Sequence, residues 1–348
     1  MSTSYRLPAE WEPHRATHLA FPSNCADWPG KFAPAQWAFV EMVRHLAEGE
    51  AVRIAVTTET RKRQAARMFR DAHVSPDAIE FHLCPLDRGW MRDISPFFVY
   101  DRNQNRRAVL FRFNGWAKYD NHKLDARWGE EISRDLDLKS VEALHEGRPV
   151  VLEGGAVDSN GQGDLLTTEE CLLDQKVQVR NPGFRKKDYE KVCRSFLGIK
   201  NILWLGSGIA GDDTHGHVDD ICRFVNPATV VLCEEKNRNS PNYGVLEENR
   251  ERLENARLAN GTAVETVRLP MPAPLYFQGL MLPASYANFY IANGQVIVPT
   301  FNDEADRQAL GILSELFPDR KIIGIHAVDL VWGFGTLHCL SHEEPAER

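Results

Sequence analysis

The sequence contains no CxxC pair, no block of like charge, no low-complexity linker and no apolar run near the roughly 20 residues of a membrane span. Each absence removes a class of protein. The seven cysteines, Cys25, Cys84, Cys171, Cys193, Cys222, Cys233 and Cys339, are odd in number and widely spaced. That pattern argues against a disulfide framework and against a zinc site built from four cysteines, and most of them are expected to be small buried hydrophobes. The polar stretch from Met1 to Trp11 carries Pro8 and does not read as a signal peptide, so a reducing cytoplasm is the expected compartment and no membrane partner is expected. A basic surplus is missing too. The net charge is −8 and the pI about 5.9, which counts against a nucleic-acid partner and suits a cationic small substrate. The one basic cluster, Arg185-Lys186-Lys187, falls at a predicted helix start and reads as a solvated face. Oligomeric state is left open, a homo-oligomer included.

What is present is an ordinary globular composition, 43% hydrophobic and 26% charged over 348 residues, enough for a large core in one domain spanning 1–348. Short apolar runs read as strands at 51–57, 108–113, 149–153, 202–205, 229–233 and 321–325. Helical periodicity lies between them near 35–47, 185–196, 245–258 and 303–317. The fold class is therefore α/β with many short strands.

Chemistry concentrates in four places. Cys339 follows Gly333-Phe334-Gly335-Thr336, a glycine-spaced turn that leaves a thiol accessible and brings backbone amides near it, as a nucleophilic thiolate requires. The alternative is a buried cysteine at a strand end. His338 is its neighbour, but adjacent residues on a strand face opposite ways, so the base is sought elsewhere. In Asp212-Asp213-Thr214-His215-Gly216-His217-Val218-Asp219-Asp220, His217 and Asp219 are two apart and share a face if the segment is extended. A carboxylate there can pair with a cation while the imidazole moves protons. A metal site on His215, His217 and Asp219 and a purely structural Asp/Gly turn are the competing readings. Asp93, in WMRDISP, and Glu153, in VLEGGAVD, read as loop carboxylates, with Arg92 a candidate ion-pair partner for Asp93. Glu153 reads as the end of a strand, and the two glycines after it permit close approach. Asp93, Glu153, His217 and Cys339 fall at nearly even intervals, the last about twice the others, as a chain of about five similar units would give.

Taken jointly, these groups suit one substrate class. A guanidinium is planar, permanently charged and offers five N–H donors, so carboxylates must hold it from two or more sides. A thiolate then reaches its carbon from above the plane, and a histidine protonates departing ammonia and activates water.

The motifs LPAEWEPH (7–14), WMRDISP (90–96), FNGW (113–116), VLEGGAVDSNGQGDLLTTEECLL (151–173), DDTHGHVDD (212–220), LPMP (269–272), ASYANFYIANG (284–294) and LHCLSHEEP (337–345) run almost end to end. In this order they resemble the agmatine deiminase family, which also contains bacterial peptidyl-arginine-deiminase-like proteins, within the guanidine-modifying pentein superfamily. The resemblance implies a five-bladed, pseudo-symmetric α/β propeller of ββαβ units, forming one catalytic domain with its site on the central axis. It implies hydrolysis of agmatine to N-carbamoylputrescine and ammonia without a cofactor or metal. By resemblance Cys339 is the amidino-accepting nucleophile and His217 the general acid–base, with Asp93, Glu153 and Asp219 around the guanidinium. Asp213 is implied as a further acidic substrate position, Trp90 as an aromatic wall, and Trp116 as a second substrate-lining aromatic. The sequence departs from the family at Phe334, at Ser341-His342-Glu343 and at Ala117-Lys118-Tyr119 after FNGW. Those departures leave open another guanidino compound, a peptidyl arginine, amidino transfer, or a non-catalytic guanidine or polyamine binder.

Overall fold

The computed structural model describes residues 5–347; the first four residues of the polar Met1–Trp11 stretch lie outside the described residues. Five sheets repeat one hydrogen-bonding plan: an antiparallel pair, then a helix, then a strand parallel to the second of the pair. Phe97–Tyr100 pairs antiparallel with Arg106–Leu110, and the chain returns through helix Trp128–Asp135 to Ser140–Glu142. The plan recurs with Asp158–Ser159, Asp164–Thr168 and Asn201–Leu205, and again with Cys222–Phe224, Thr229–Glu234 and Glu265–Pro270. It recurs once more with Tyr290–Ala292, Gln295–Thr300 and Lys321–His326. The remaining unit joins the two ends of the chain. Ser341–Pro345 lies antiparallel to His14–Ala20, which is parallel to Ala51–Val56, and Ile79–Leu83 extends that sheet by one strand. No sheet closes on itself among the described residues.

Local chemistry accounts for these elements. Phe39, Val43 and Leu46 recur at helical spacing on the buried face of Phe32–Leu46. Thr58 caps Glu59–Asp71 by accepting from Arg61 N, and Asp303 opens Glu304–Leu316 with a reciprocal cap to Asp306. The middle of a strand such as Thr229–Glu234, from Val230 to Cys233, is apolar on both faces, and all four residues lie in the buried core. At the seam, the buried Glu344 carboxylate accepts from His18 Nε2 at 3.0 Å and Arg53 Nε at 2.8 Å and also pairs with Arg106. Six of the seven cysteines are buried and all are free, as expected of small hydrophobes.

One strand reading is corrected. Residues 149–153 do not form a strand beside another: only Arg148–Pro149 pairs, and Val151 makes an isolated bridge to Arg112. The Asn181 side chain takes the neighbour's place, accepting from Val151 N at 2.9 Å and donating to Val151 O at 2.8 Å. Glu153 therefore leads into the turn Gly154–Ala156 rather than ending a sheet strand.

The repeated plan positions the candidate residues. Each unit's first strand is preceded by a short turn or loop, and these carry Asp93, Glu153, Asp219, Asn288 and Cys339 in chain order.

Candidate active site

Cys339 sits in the helical turn Leu337–Leu340, not on a strand, and its side chain is buried to 7% exposure. Asn288 clamps that turn. Its Oδ1 accepts from the Thr336 hydroxyl at 2.7 Å and from His338 N at 3.1 Å, while its Nδ2 donates to Cys339 Sγ at 3.1 Å. Gly335 leaves room for the sulfur, since a Cβ there would stand 2.8 Å from the Trp90 ring and 3.2 Å from Sγ.

Asp219 lies in a 3-10 turn, Val218–Asp220, and His217 is the residue that leads into it, so the two do not share one extended segment. They still approach, with His217 Nδ1 4.0 Å from Asp219 Oδ1 and 3.9 Å from Asp93 Oδ1. Asp212 sets this turn by accepting from Gly216 N and His217 N at 2.8 and 2.9 Å. Cys339 Sγ is 3.7 Å from Asp219 Oδ2, so the thiol and the imidazole meet at opposite oxygens of one carboxylate.

Asp93 lies in the turn Met91–Ile94. Its Oδ1 accepts from Gly155 N at 3.0 Å and its Oδ2 from Trp116 Nε1 at 2.8 Å. Arg92 is not its partner; it turns away to Glu10 and Glu343 at 3.2 and 2.8 Å. Gly155 stands at the centre of the cluster. A Cβ there would be 2.5 Å from His217 Nδ1, 3.0 Å from Asp93 Oδ1 and 3.1 Å from Asp219 Oδ2.

Glu153 is fully buried, with Oε1 accepting from Arg180 Nε at 3.0 Å. Its Oε2 and His217 Nε2 are buried without hydrogen-bond partners. A Glu153 oxygen, a His217 ring nitrogen and the Cys171 sulfur lie within 4.8 Å of one another.

His338 carries no less structure than His217. Its Nδ1 lies 2.7 Å from Asp219 Oδ2 and its Nε2 2.8 Å from Glu10 Oε2. Glu10 in turn pairs with Arg223, which also reaches Asp158. Asp219 thus belongs to a buried charge network that runs behind Cys339.

The electrostatics follow from this crowding. Burial, with Asp219, Asp220 and Asp93 nearby, pushes the Cys339 thiol well above its ordinary range, against the Asn288 donor. Burial alone would depress His217, but Asp93, Cys171 and Asp219 outweigh it and raise the imidazole well above its usual value. Burial raises Asp93, assisted by Asp219 and Glu153 and opposed by His217. Burial also opposes ionisation of Asp219, yet His338, His217 and Arg223 hold that carboxyl below its ordinary value. The cup is acidic and suits a cation.

Its mouth opens into a narrow pocket lined by Trp90, Asp93, Trp116, Asp213, Arg88 and Phe334, with Cys339 at the base. Trp90 and Trp116 are both buried and face this space. Asp213 sits at the rim rather than in the cup, bonded to Lys118 and to the Tyr119 hydroxyl. Phe334 holds a left-handed backbone, φ 65°, between the two glycines that flank it.

Two buried triads, Glu153–Cys171–His217 and Asp219–Asp220–Cys339, have metal-ligating atoms within 4.8 Å of each other. Arg180 on Glu153 Oε1 places a fixed positive charge beside the first triad, and the Asn288 N–H groups shared by Asp220 and Cys339 engage atoms that a metal would use in the second. The set His215, His217 and Asp219 does not assemble, because His215 Nε2 turns to Asp174 at 2.9 Å.

Asp93, Glu153, His217, Asp219 and Cys339 are therefore brought together, with Trp90 and Trp116 beside them. Sequence reasoning missed Asn288, Glu10, Arg180 and Cys171 as parts of the cluster, and left His338 undecided. A signal for Asn288 existed: the double interval between the His217 motif and Cys339 implies an intervening unit, and Asn288 precedes that unit's first strand.

Residues 6–345 match the Porphyromonas-type peptidyl-arginine deiminase family. The chain is similar to the agmatine deiminase of Stutzerimonas stutzeri, with 34% identity over 98% of this chain and 96% of the relative. Among solved structures it is similar to an agmatine deiminase of Enterococcus faecalis, with a TM-score of 0.90, 29% identity and 100% and 99% of the two chains covered. It is also similar to a C. jejuni agmatine deiminase variant with substrate bound, with a TM-score of 0.87, 28% identity and 99% and 97% covered.

Proposed function

We propose that this chain, which belongs to the Porphyromonas-type peptidyl-arginine deiminase family, hydrolyses the guanidino group of agmatine to give N-carbamoylputrescine and ammonia. The observation that carries this reading is the shared carboxylate of Asp219, with the Cys339 sulfur at one oxygen and the His217 imidazole at the other. The narrow aromatic pocket above them supports a small free guanidine over a peptide. On this reading the five repeated units stand as blades around the site in one catalytic domain, each offering the residue before its first strand.

Asp93 and Asp219 flank the space that Gly155 leaves open and hold the planar cation between them. Glu153, with one oxygen taken by Arg180 and the other near His217, acts on the imidazole rather than on substrate. Entry of the guanidinium neutralises the carboxylates that, together with burial, keep Cys339 protonated, and the thiol proton is released to solvent as the cation arrives. Sγ then forms a bond to the guanidinium carbon. His217, held in its protonated form by its acidic neighbours, gives a proton to the departing nitrogen as the C–N bond breaks and ammonia leaves. The result is a thiouronium on Cys339. Water, deprotonated by the now neutral His217, adds to the same carbon, and collapse breaks the C–S bond, with the hydroxyl proton passing to the departing sulfur to restore the Cys339 thiol as the ureido product is released.

Product analysis tests the activity: agmatine with the purified enzyme, and no amine acceptor added, should give equal amounts of ammonia and N-carbamoylputrescine. No ureido product from agmatine under those conditions would refute the reading.

A further inference from the structure

The rim of the pocket already contains an ammonium. The Lys118 Nζ pairs with one oxygen of Asp213, and the Tyr119 hydroxyl donates to the other at 2.6 Å. Burial and Asp213 push the Tyr119 phenol up to about 12, so it remains a donor. Asp213 and Asp93 are the carboxylates that line this pocket, and Asp93 lies in the cup with the reacting groups. A substrate that places its guanidinium over Cys339 and carries a second cation therefore meets Asp213 as its counter-charge. Arg88, the other charged group in the lining, is paired with Asp27 at 2.7 Å and lies 4.0 Å over the Tyr119 ring.

The segment that delivers Lys118 is tightly wound. Gly115, Trp116 and Ala117 hold consecutive left-handed backbones at φ 69°, 56° and 52°. Lys118 N and Tyr119 N both donate to Gly115 O at 3.0 Å, and a Cβ on Gly115 would strike Tyr119 O. Gln178 Nε2 donates to Trp116 O and to Asp213 O, each at 3.1 Å, tying this segment to the Asp213 loop. The backbone under Lys118 is thus fixed, whereas its side chain is flexible and 40% exposed.

We propose that Lys118 is a resident ammonium that competes with the distal ammonium of a guanidino-amine for Asp213, so that such a substrate binds by displacing the Lys118 side chain. This rests on the reading that guanidino compounds enter the pocket above Cys339, and it names Lys118 as a specificity determinant of that site. The exchange replaces one ammonium by another, so Asp213 stays compensated and Tyr119 keeps its bond. A guanidine without a second cation leaves Lys118 in place. Lys118 therefore narrows the preference for doubly charged over singly charged guanidines.

Calorimetric binding of agmatine and of n-butylguanidine, which has the same guanidine and no ammonium, tests this in a Cys339→Ala background that does not turn over. Lys118→Met should tighten agmatine binding about three- to fivefold, the size set by a half-exposed ion pair, and leave n-butylguanidine binding unchanged. Asp213→Asn should remove most of the preference for agmatine, and adding Lys118→Met to it should then change nothing further. Agmatine binding that is unchanged or weakened by Lys118→Met, or a gain shared equally by both ligands, overturns the exchange. Absence of ureido product from wild-type enzyme with the binding pattern intact would instead refute the hydrolytic reading alone.

Discussion

Asn288 Nδ2 stands 3.1 Å from Cys339 Sγ, and the Asn288 carbonyl oxygen holds the turn on which that sulfur sits. One amide thus fixes both the position of the thiol and the single donor that favours its ionised form against three nearby carboxylates. Iodoacetamide should modify the free enzyme at Cys339 slowly at neutral pH, with a rate that climbs as pH rises beyond 9. Asn288→Ala removes the donor and should slow alkylation at pH 9 by about tenfold or more, the worth of a hydrogen bond to a charged group. Equal rates in the two proteins would show that the amide does not stabilise the thiolate.

Gly155 makes the space in which Asp93, Asp219 and His217 face each other. Its φ is not in the left-handed region, so alanine fits the backbone and fails only on its side chain, which would stand 2.5 Å from His217 Nδ1. Gly155→Ala should lower kcat/KM more than about 100-fold, since displacement of a catalytic group by an ångström has that effect. Its circular dichroism should match the wild type. Near-normal activity would remove the guanidinium from this space.

His338 acts through Asp219. Losing it takes away the largest influence that keeps the Asp219 carboxyl ionised once burial is set aside. His338→Ala should therefore move the acid limb of the kcat/KM profile for agmatine to higher pH, because Asp219 then protonates more readily. His338→Asn, which retains an N–H donor, should restore part of the shift. A uniform fall in rate at every pH would indicate loss of structure without a positioning role.

The chain ends are joined by a buried charge. His18, Arg53 and Arg106 hold Glu344 at about 2 despite burial that opposes ionisation. A depressed carboxyl stabilises the fold above its unfolded value near 4.5 and loses that contribution as pH falls toward its folded value. Glu344→Gln should destabilise the protein by about 3 kcal/mol at neutral pH, with the gap to wild type narrowing below pH 4.5. Urea titrations at stepped pH read this directly. A gap that stays constant down to pH 3 would assign the stability to packing.

Much of the site was legible in sequence because its residues punctuate the chain: Asp93, Glu153, His217 and Cys339 each interrupt apolar runs with turn-forming neighbours. The helices were legible through periodicity and caps, with Glu304–Leu316 falling inside the 303–317 pattern. Local conformation at the site was not. His217 and Asp219 were read on one extended segment, and a strand end was the alternative for Cys339, whereas Asp219 and Cys339 lie in single helical turns that no apolar period marks and His217 leads into the first of them. Residues 149–153 read as a strand because Val150, Val151 and Leu152 are apolar, and nothing in the sequence says that Asn181 will serve as the neighbour. Asn288 and Glu10 were invisible as functional groups for a related reason. Their roles depend on hydrogen bonds to residues far along the chain, such as Glu10 to His338, and only the packed units create those contacts.

The covalent role of Cys339 is the centre of the account, and mass spectrometry of enzyme quenched during turnover of agmatine tests it most directly. The account expects a peptide containing Cys339 that is heavier by agmatine less ammonia, absent from Cys339→Ser, which should also release no ammonia. An unmodified Cys339 throughout turnover, together with ammonia release retained by Cys339→Ser, would contradict it.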